Sequence, residues 1–308
     1  MPRGVGPARL AALCAACLWG LGTAACSRQP APPPDQPFAI GDSGLHRPES
    51  ALHDHTADVY LIANVNGSPF AADANGFISR FQPDGTPLEV RWIDGTLADV
   101  TLNAPWGMAI RGDTLFVTDI DAVRLFRRAD GRPAGTWRVA EATSLRGITV
   151  DARGTIYVTD AGVRAGPSGL EPTGRDAVYR FDSTGAAVRL VQGTALGHPY
   201  GIVAHEGRLF IVTAGTGRVI YVDPASGQIS GFPAPPTGDL QGIVVTRTGE
   251  YLVSSRDGDA VYGLSGGVRY ETVVSDVGAP GGIGYDAIRD RVLVPVPARN
   301  LVEVRPLH

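Results

Sequence analysis

Trp106-Gly107-Met108, Arg146-Gly147-Ile148, Tyr200-Gly201-Ile202, Gln241-Gly242-Ile243 and Gly281-Gly282-Ile283 repeat one pattern: a variable residue, a glycine, then methionine or isoleucine. The glycines lie 40, 54, 41 and 40 residues apart. A period near 40 residues means stacked copies of one supersecondary unit, because a single copy cannot bury its own apolar face. A second run rich in β-branched and aromatic residues follows each copy, as in Thr114-Leu115-Phe116-Val117-Thr118-Asp119 and Thr155-Ile156-Tyr157-Val158-Thr159-Asp160. Those residue types in alternation read as strand. A third run comes next (Ala122-Val123-Arg124-Leu125-Phe126, for example), and turns carrying Asp130-Gly131, Thr184-Gly185 or Ser226-Gly227 lead to a fourth. Four short antiparallel strands joined by glycine-bearing turns describe a propeller blade.

Outward from these copies, Pro48-Glu49-Ser50-Ala51-Leu52 stands where Pro105-Trp106-Gly107-Met108-Ala109 stands, with Ser50 in place of the glycine. This adds a sixth blade at the start, so the expected fold is an all-β, six-bladed β-propeller. The third blade is the long one, and its extra residues, 161–175, are rich in Gly and Pro and read as a loop insertion. The last blade runs out after three strands. Pro37-Phe38-Ala39-Ile40 is the expected fourth, which would join the two ends of the ring and leave no open sheet edge.

Composition agrees with a turn-rich β protein: 44% apolar residues, 40 Gly and 24 Pro among 308. Arg3 and Arg9 precede an apolar stretch, residues 10–21, that suits a signal-peptide core and is short for a membrane span. It ends in Thr23-Ala24-Ala25-Cys26-Ser27, which resembles a bacterial lipobox with Cys26 as the lipidated residue, and Pro30-Ala31-Pro32-Pro33-Pro34 reads as a semi-rigid spacer. The expected organisation is a signal peptide at 1–25, an anchor and spacer at 26–36 and a propeller at 37–308. Such a protein is exported to the periplasm or cell envelope and touches the membrane through its lipid alone. A monomer is expected.

Cys14 and Cys17 fall inside the signal, so the mature chain has Cys26 alone and neither a disulfide nor a free catalytic thiol. Loss of residues 1–25 removes two Arg and no acid and leaves a net charge of −6, which argues against a nucleic-acid partner. All 27 basic residues are Arg. Schiff-base and phosphate-loop lysine chemistry is therefore excluded.

The repeat sets Glu49, Trp106, Arg146, Tyr200, Gln241 and Gly281 around one end of a central channel. Six equivalent places hold six residue types, whereas the neighbouring glycine is repeated. Divergence around a shared cavity is what a binding site needs. A second tier comes from the ends of the second strands: Asn64, Asn66, Asp73, Asp119, Asp121, Asp160 and Arg256-Asp257. Converging carboxylates can hold Ca²⁺, yet an Asp recurring at one blade position also caps turns by bonding its own backbone. His53-Asp54-His55 could supply two metal ligands, but it falls in a turn on the opposite face and reads as an exposed polar turn.

Pro48-Glu49-Ser50, Asn66-Gly67-Ser68-Pro69, Asn75-Gly76-Phe77-Ile78-Ser79-Arg80 and the glycine-led strand starts together resemble the gluconolactonase/regucalcin-like family of six-bladed propellers, and more loosely the NHL-repeat propellers. The resemblance spans residues 37–306. It implies a divalent metal (Ca²⁺, Zn²⁺ or Mn²⁺) held by a Glu, an Asn and an Asp, and a lactone or ester hydrolase activity. Glu49 matches the first ligand. The positions of the other two hold Tyr200 and Gln241, and a further family Asn falls at Arg146. With the Asp replaced by an amide, the group that would take a proton is lost. Arg146 instead offers a fixed positive charge that could pair with Glu49 or grip a carboxylate or phosphate in bidentate fashion. The expectation is a propeller that binds a small, anionic ligand or an envelope protein at its channel mouth; the alternative is a metal-dependent lactonase with a remodelled site.

Overall fold

The computed structural model describes residues 36–307 apart from 42, 168 and 268. The expected signal peptide, Cys26 and all but the last residue of the spacer lie outside the described residues. Among the described residues there are six four-stranded antiparallel sheets and one two-stranded hairpin, with no α-helix. The innermost strands of blades I to VI are Pro48–Asp54, Pro105–Arg111, Leu145–Val150, Pro199–His205, Leu240–Val245 and Gly284–Asp286. Each packs beside the next, and the sixth beside the first, so the blades close into a ring. Blade VI takes its outer strand from the N-terminal side: Phe38–Ile40 pairs antiparallel with Leu301–Pro306.

The second strands carry the densest apolar runs because both their faces are covered by neighbouring blades. Ile156–Asp160 is buried at every position. Each main core cluster bridges two adjacent blades; one joins Phe116 and Val123 of blade II to Ile148, Val158 and Phe181 of blade III. Trp137 fills the same junction, its ring 5.1 Å from Phe116 and 5.2 Å from Phe181.

The repeated glycine lies where neighbouring inner strands nearly touch. A Cβ on Gly147 would sit 2.3 Å from the Tyr200 carbonyl oxygen, and one on Gly242 would sit 2.4 Å from the Ile283 amide nitrogen. In blades II, III and V a hydroxyl from the second strand stitches this approach, whereas blade IV has Val212 at that place. Thr118 Oγ1 accepts from Gly107 N (2.8 Å) and donates to Arg146 O in the next blade (2.6 Å). Thr159 links Gly147 to Tyr200 in the same way, and Ser254 links Gly242 to Gly281. Blade I has Ala63 at that place, paired with Ser50. There the Ser50 hydroxyl itself donates to Trp106 O, which explains why this one copy carries serine instead of glycine.

Three details differ from the sequence reading. The insertion in blade III is an ordered hairpin, Val163–Gly166 with Gly169–Pro172. Blade VI begins its inner strand at Gly284, and the Gly282 that precedes it bonds blade I: its N–H donates to Glu49 O (2.8 Å) and its carbonyl accepts from Ala51 N (3.2 Å). His53 and Asp54 are buried. They join a charged network between blades, in which Arg128 grips Asp54 while His53 lies between Asp58 (3.0 Å) and Asp286 (3.4 Å). His55 alone of that trio is exposed.

Candidate functional site

The stitch pins the backbone carbonyls of Trp106, Arg146, Tyr200 and Gly281, and so helps to fix the side chains around the channel mouth. Below the mouth lies a cavity of about 390 Å³, lined by residues from all six blades, with Trp106 and Gln241 among them. Above it an apolar cluster of Val65, Ala104, Trp106, Ala161, Val163 and Tyr200 is flanked by Phe70, Ile120 and Ala214. Loops between the second and third strands of blades I to IV supply most of this roof.

Arg146 lies beneath that roof. It is 2% exposed, and its guanidinium carbon is 3.7 Å from the Trp106 ring centroid, 5.1 Å from Tyr200 and 5.4 Å from Phe70. Trp106 and Tyr200 meet edge to face at 5.9 Å. No carboxylate among the described residues pairs with Arg146, and its buried Nε has no hydrogen-bond acceptor. Burial lowers its pKa, opposed by the field of Tyr200 and Glu49 and reinforced by that of Arg256 and Arg47.

Glu49 is fully buried, and both its oxygens are taken. Arg47 Nε donates to Oε1 (2.8 Å) and Arg256 Nη2 to Oε2 (3.0 Å). The expected pairing of Glu49 with Arg146 is therefore replaced by a pairing with two other arginines. Arg47 also reaches the Gly67 carbonyl (3.1 Å) and so ties the roof loop of blade I to the mouth. Gln241 is buried with its Nε2 donating to Asp239 Oδ1 (2.5 Å), while its Oε1 has no donor among the described residues. Burial raises the Asp239 pKa, and nearby Arg256 opposes the shift.

Asn64, Asp119 and Asp160 sit at the ends of second strands as expected, but their polar atoms turn into their own blades. Asn64 accepts from His46 N and donates to Ile62 O and Ser79 Oγ. Asp119 accepts from Asn103 N, Ala104 N and Arg124 Nε. Asp160 accepts from Thr143 N, Thr143 Oγ1, Ser144 N and Gly162 N. Each aspartate braces the segment leading into its inner strand, satisfying backbone N–H groups that would otherwise be buried without partners.

A divalent cation does not fit this mouth. No group of three or more His, Cys, Asp or Glu side chains among the described residues is placed to hold one. The one carboxylate at the matching position, Glu49, is held by two guanidiniums. Hard cations need several oxygen donors, and three arginines around one carboxylate supply repulsion instead. Arg47, Phe70 and Asp239 are the site residues that the repeat does not mark. Phe70 follows directly on the Asn66-Gly67-Ser68-Pro69 segment that carries the family resemblance, and Arg47 lies two residues before Glu49.

No family model matches the chain, and no curated protein matches it. Solved structures do. A gluconolactonase from Xanthomonas campestris is 19% identical, with a TM-score of 0.67 over 88% of this chain and 89% of that one. A streptogramin B lyase is 13% identical, with a TM-score of 0.60 over 88% and 97%. A chain of the nidogen/laminin complex is 18% identical, with a TM-score of 0.62 over 77% and 84%. The fold is thus a six-bladed β-propeller, shared with a gluconolactonase, a streptogramin B lyase and a chain of the nidogen/laminin complex.

Proposed function

We propose that this protein is an exported, lipid-anchored propeller whose channel mouth binds a small anion, with Arg146 as the residue that grips it. The observation that supports this is the state of Arg146: a guanidinium buried on aromatic rings with no carboxylate partner. Burying an unpaired charge costs several kcal/mol even after relaxation. Stacking on aromatic faces returns about 2 kcal/mol when desolvated. A carboxylate or phosphate would supply the rest through two parallel N–H donations, whether it is free or borne on a partner protein's side chain. Fixed aromatic walls hold the planar fork in place, so little order is lost on binding.

The test is titration of the mature protein, residues 26–308, with acetate and with inorganic phosphate. Arg146→Met should weaken binding of the better probe at least tenfold while leaving the melting temperature of the unliganded protein level or higher. Equal affinity in the variant would overturn the reading.

The fold shared with a gluconolactonase supports a second reading as a lactone or ester hydrolase, although Glu49, at the matching position, has both oxygens held by Arg47 and Arg256. That reading requires stoichiometric metal in the purified protein and lactone hydrolysis that a chelator abolishes. The anchor rests on the lipobox-like segment alone, and Cys26→Ser should release the protein from membranes into the soluble fraction.

A further inference from the structure

Arg146 is not the only group at the mouth without a partner. Gln241 Oε1 is a buried acceptor with no donor, on a side chain whose other end is fixed by Asp239. Reversing the amide would set Oε1 against the Asp239 carboxylate, acceptor against acceptor, so the orientation with Oε1 facing away follows from the neighbour. Gln241 and Trp106 line the same cavity, and Trp106 carries the Arg146 guanidinium on its ring. In the ring of blades, Arg146 of blade III and Gln241 of blade V flank Tyr200 of blade IV. Beyond Gln241 stands Gly281, which adds no side chain to the ring.

We infer that the anion bound at Arg146 also carries an O–H or N–H donor, which Gln241 Oε1 accepts. The inference rests on the anion-binding reading and deepens it to a ligand class: small carboxylates bearing a neighbouring hydroxyl or amide N–H. A simple carboxylate answers the orphaned donor and leaves the orphaned acceptor dry, whereas a ligand with both groups answers both. Buried polar groups left unmatched are the strongest source of discrimination between otherwise similar small molecules.

Acetate, glycolate and methoxyacetate separate these effects, because they share the carboxylate and only glycolate has the hydroxyl proton. Titrated against the mature protein at neutral pH, glycolate should bind about tenfold more tightly than acetate, the difference one well-made hydrogen bond provides. Methoxyacetate should bind no better than acetate. Gln241→Met should bring glycolate down to the acetate level and leave acetate unchanged. Equal binding of glycolate and acetate by the natural protein, or a glycolate advantage that survives in Gln241→Met, overturns the inference while the anion site stands. Failure of all three carboxylates while phosphate binds overturns the inference alone; failure of phosphate as well overturns both. The methoxyacetate comparison needs no variant, so the inference is decided even if Gln241→Met does not fold.

Discussion

A methyl group added at Gly147 would land 2.3 Å from the Tyr200 carbonyl oxygen and 2.9 Å from Ile202 N, both backbone atoms that cannot swing aside. Gly147→Ala should therefore destabilise the protein by about 2–4 kcal/mol, in the class of overpacking changes. Gly231→Ala is the control, since nothing lies within 4 Å of its Cβ and its φ is not positive. It should shift stability by no more than about 1 kcal/mol, in the stabilising direction, through the unfolded chain. Urea denaturation of the two variants checks the contrast, and equal losses would remove close approach as the reason for the repeated glycine. Sequence makes the position of this glycine legible as a period, because periodicity survives without knowing what the residue touches. Its cause is not legible, because the clash is with a different blade some 40 to 54 residues away. The candidate site divides in the same way. Which residue types ring the mouth can be read from the copies. Arg47 is a sequence neighbour of Glu49, but the second partner of Glu49, Arg256, comes from 207 residues away, and only the folded ring brings it to that carboxylate and leaves Arg146 without one.

At the level of strands, the hydroxyl stitch makes Ser50 and Ala63 a coupled pair. Ser50→Gly restores the residue that the other copies use but leaves the Trp106 carbonyl without its donor, so it should cost about 1 kcal/mol, the worth of an ordinary hydrogen bond. Adding Ala63→Ser places a hydroxyl where Thr118 and Thr159 stand in blades II and III, and should recover most of that loss. No recovery in the double variant, measured by urea denaturation, would mean that the serine acts through something other than the stitch. The turns on the opposite face hold a different coupling. Arg289 donates to both Asp58 oxygens and to Asp286 Oδ2, across the junction of blades I and VI. The hydrogen bond from Arg289, against the cost of burial, lowers Asp58 from its ordinary 3.8 to about 2. A depressed carboxylate contributes stability that is fully present above about 3.8 and is lost as pH falls through about 2. Arg289→Met should accordingly be less stable than the natural protein above pH 4, and the gap should close between 3.8 and 2. A gap that stays constant down to pH 2 would rule out the ion pair as its source. The sequence showed His53-Asp54-His55 as a polar turn, which is correct for His55. The partners that bury the other two come from residues 128 and 286, beyond the reach of local pattern.

For the whole ring, the junction of blades VI and I is the place where the chain must close on itself. It is held at three radii: the outer strand Phe38–Ile40 on Leu301–Pro306, the inner bonds between Gly282 and Glu49 or Ala51, and the Arg289–Asp58 pair on the far face. Ile40 is buried in a core cluster that contains Ala51, Tyr60, Ile62 and Phe81 of blade I with Leu293, Val302 and Val304 of blade VI. One residue of the closing strand thus packs against both sides of the junction. Ile40→Ala removes buried methyl and methylene groups and should cost about 2–4 kcal/mol. The sharper consequence concerns cooperativity. Trp92 and Trp137 lie at the junctions of blades I with II and II with III, away from the seam. If closure stabilises the ring as a unit, tryptophan fluorescence and far-ultraviolet circular dichroism of Ile40→Ala should shift to a lower urea midpoint together, with one transition for both probes. If the seam opened locally, circular dichroism would show an early transition while the fluorescence midpoint stayed where it was. Because every main core cluster is shared between neighbouring blades, no blade has a core of its own to fall back on. The single shifted transition is therefore the expected outcome.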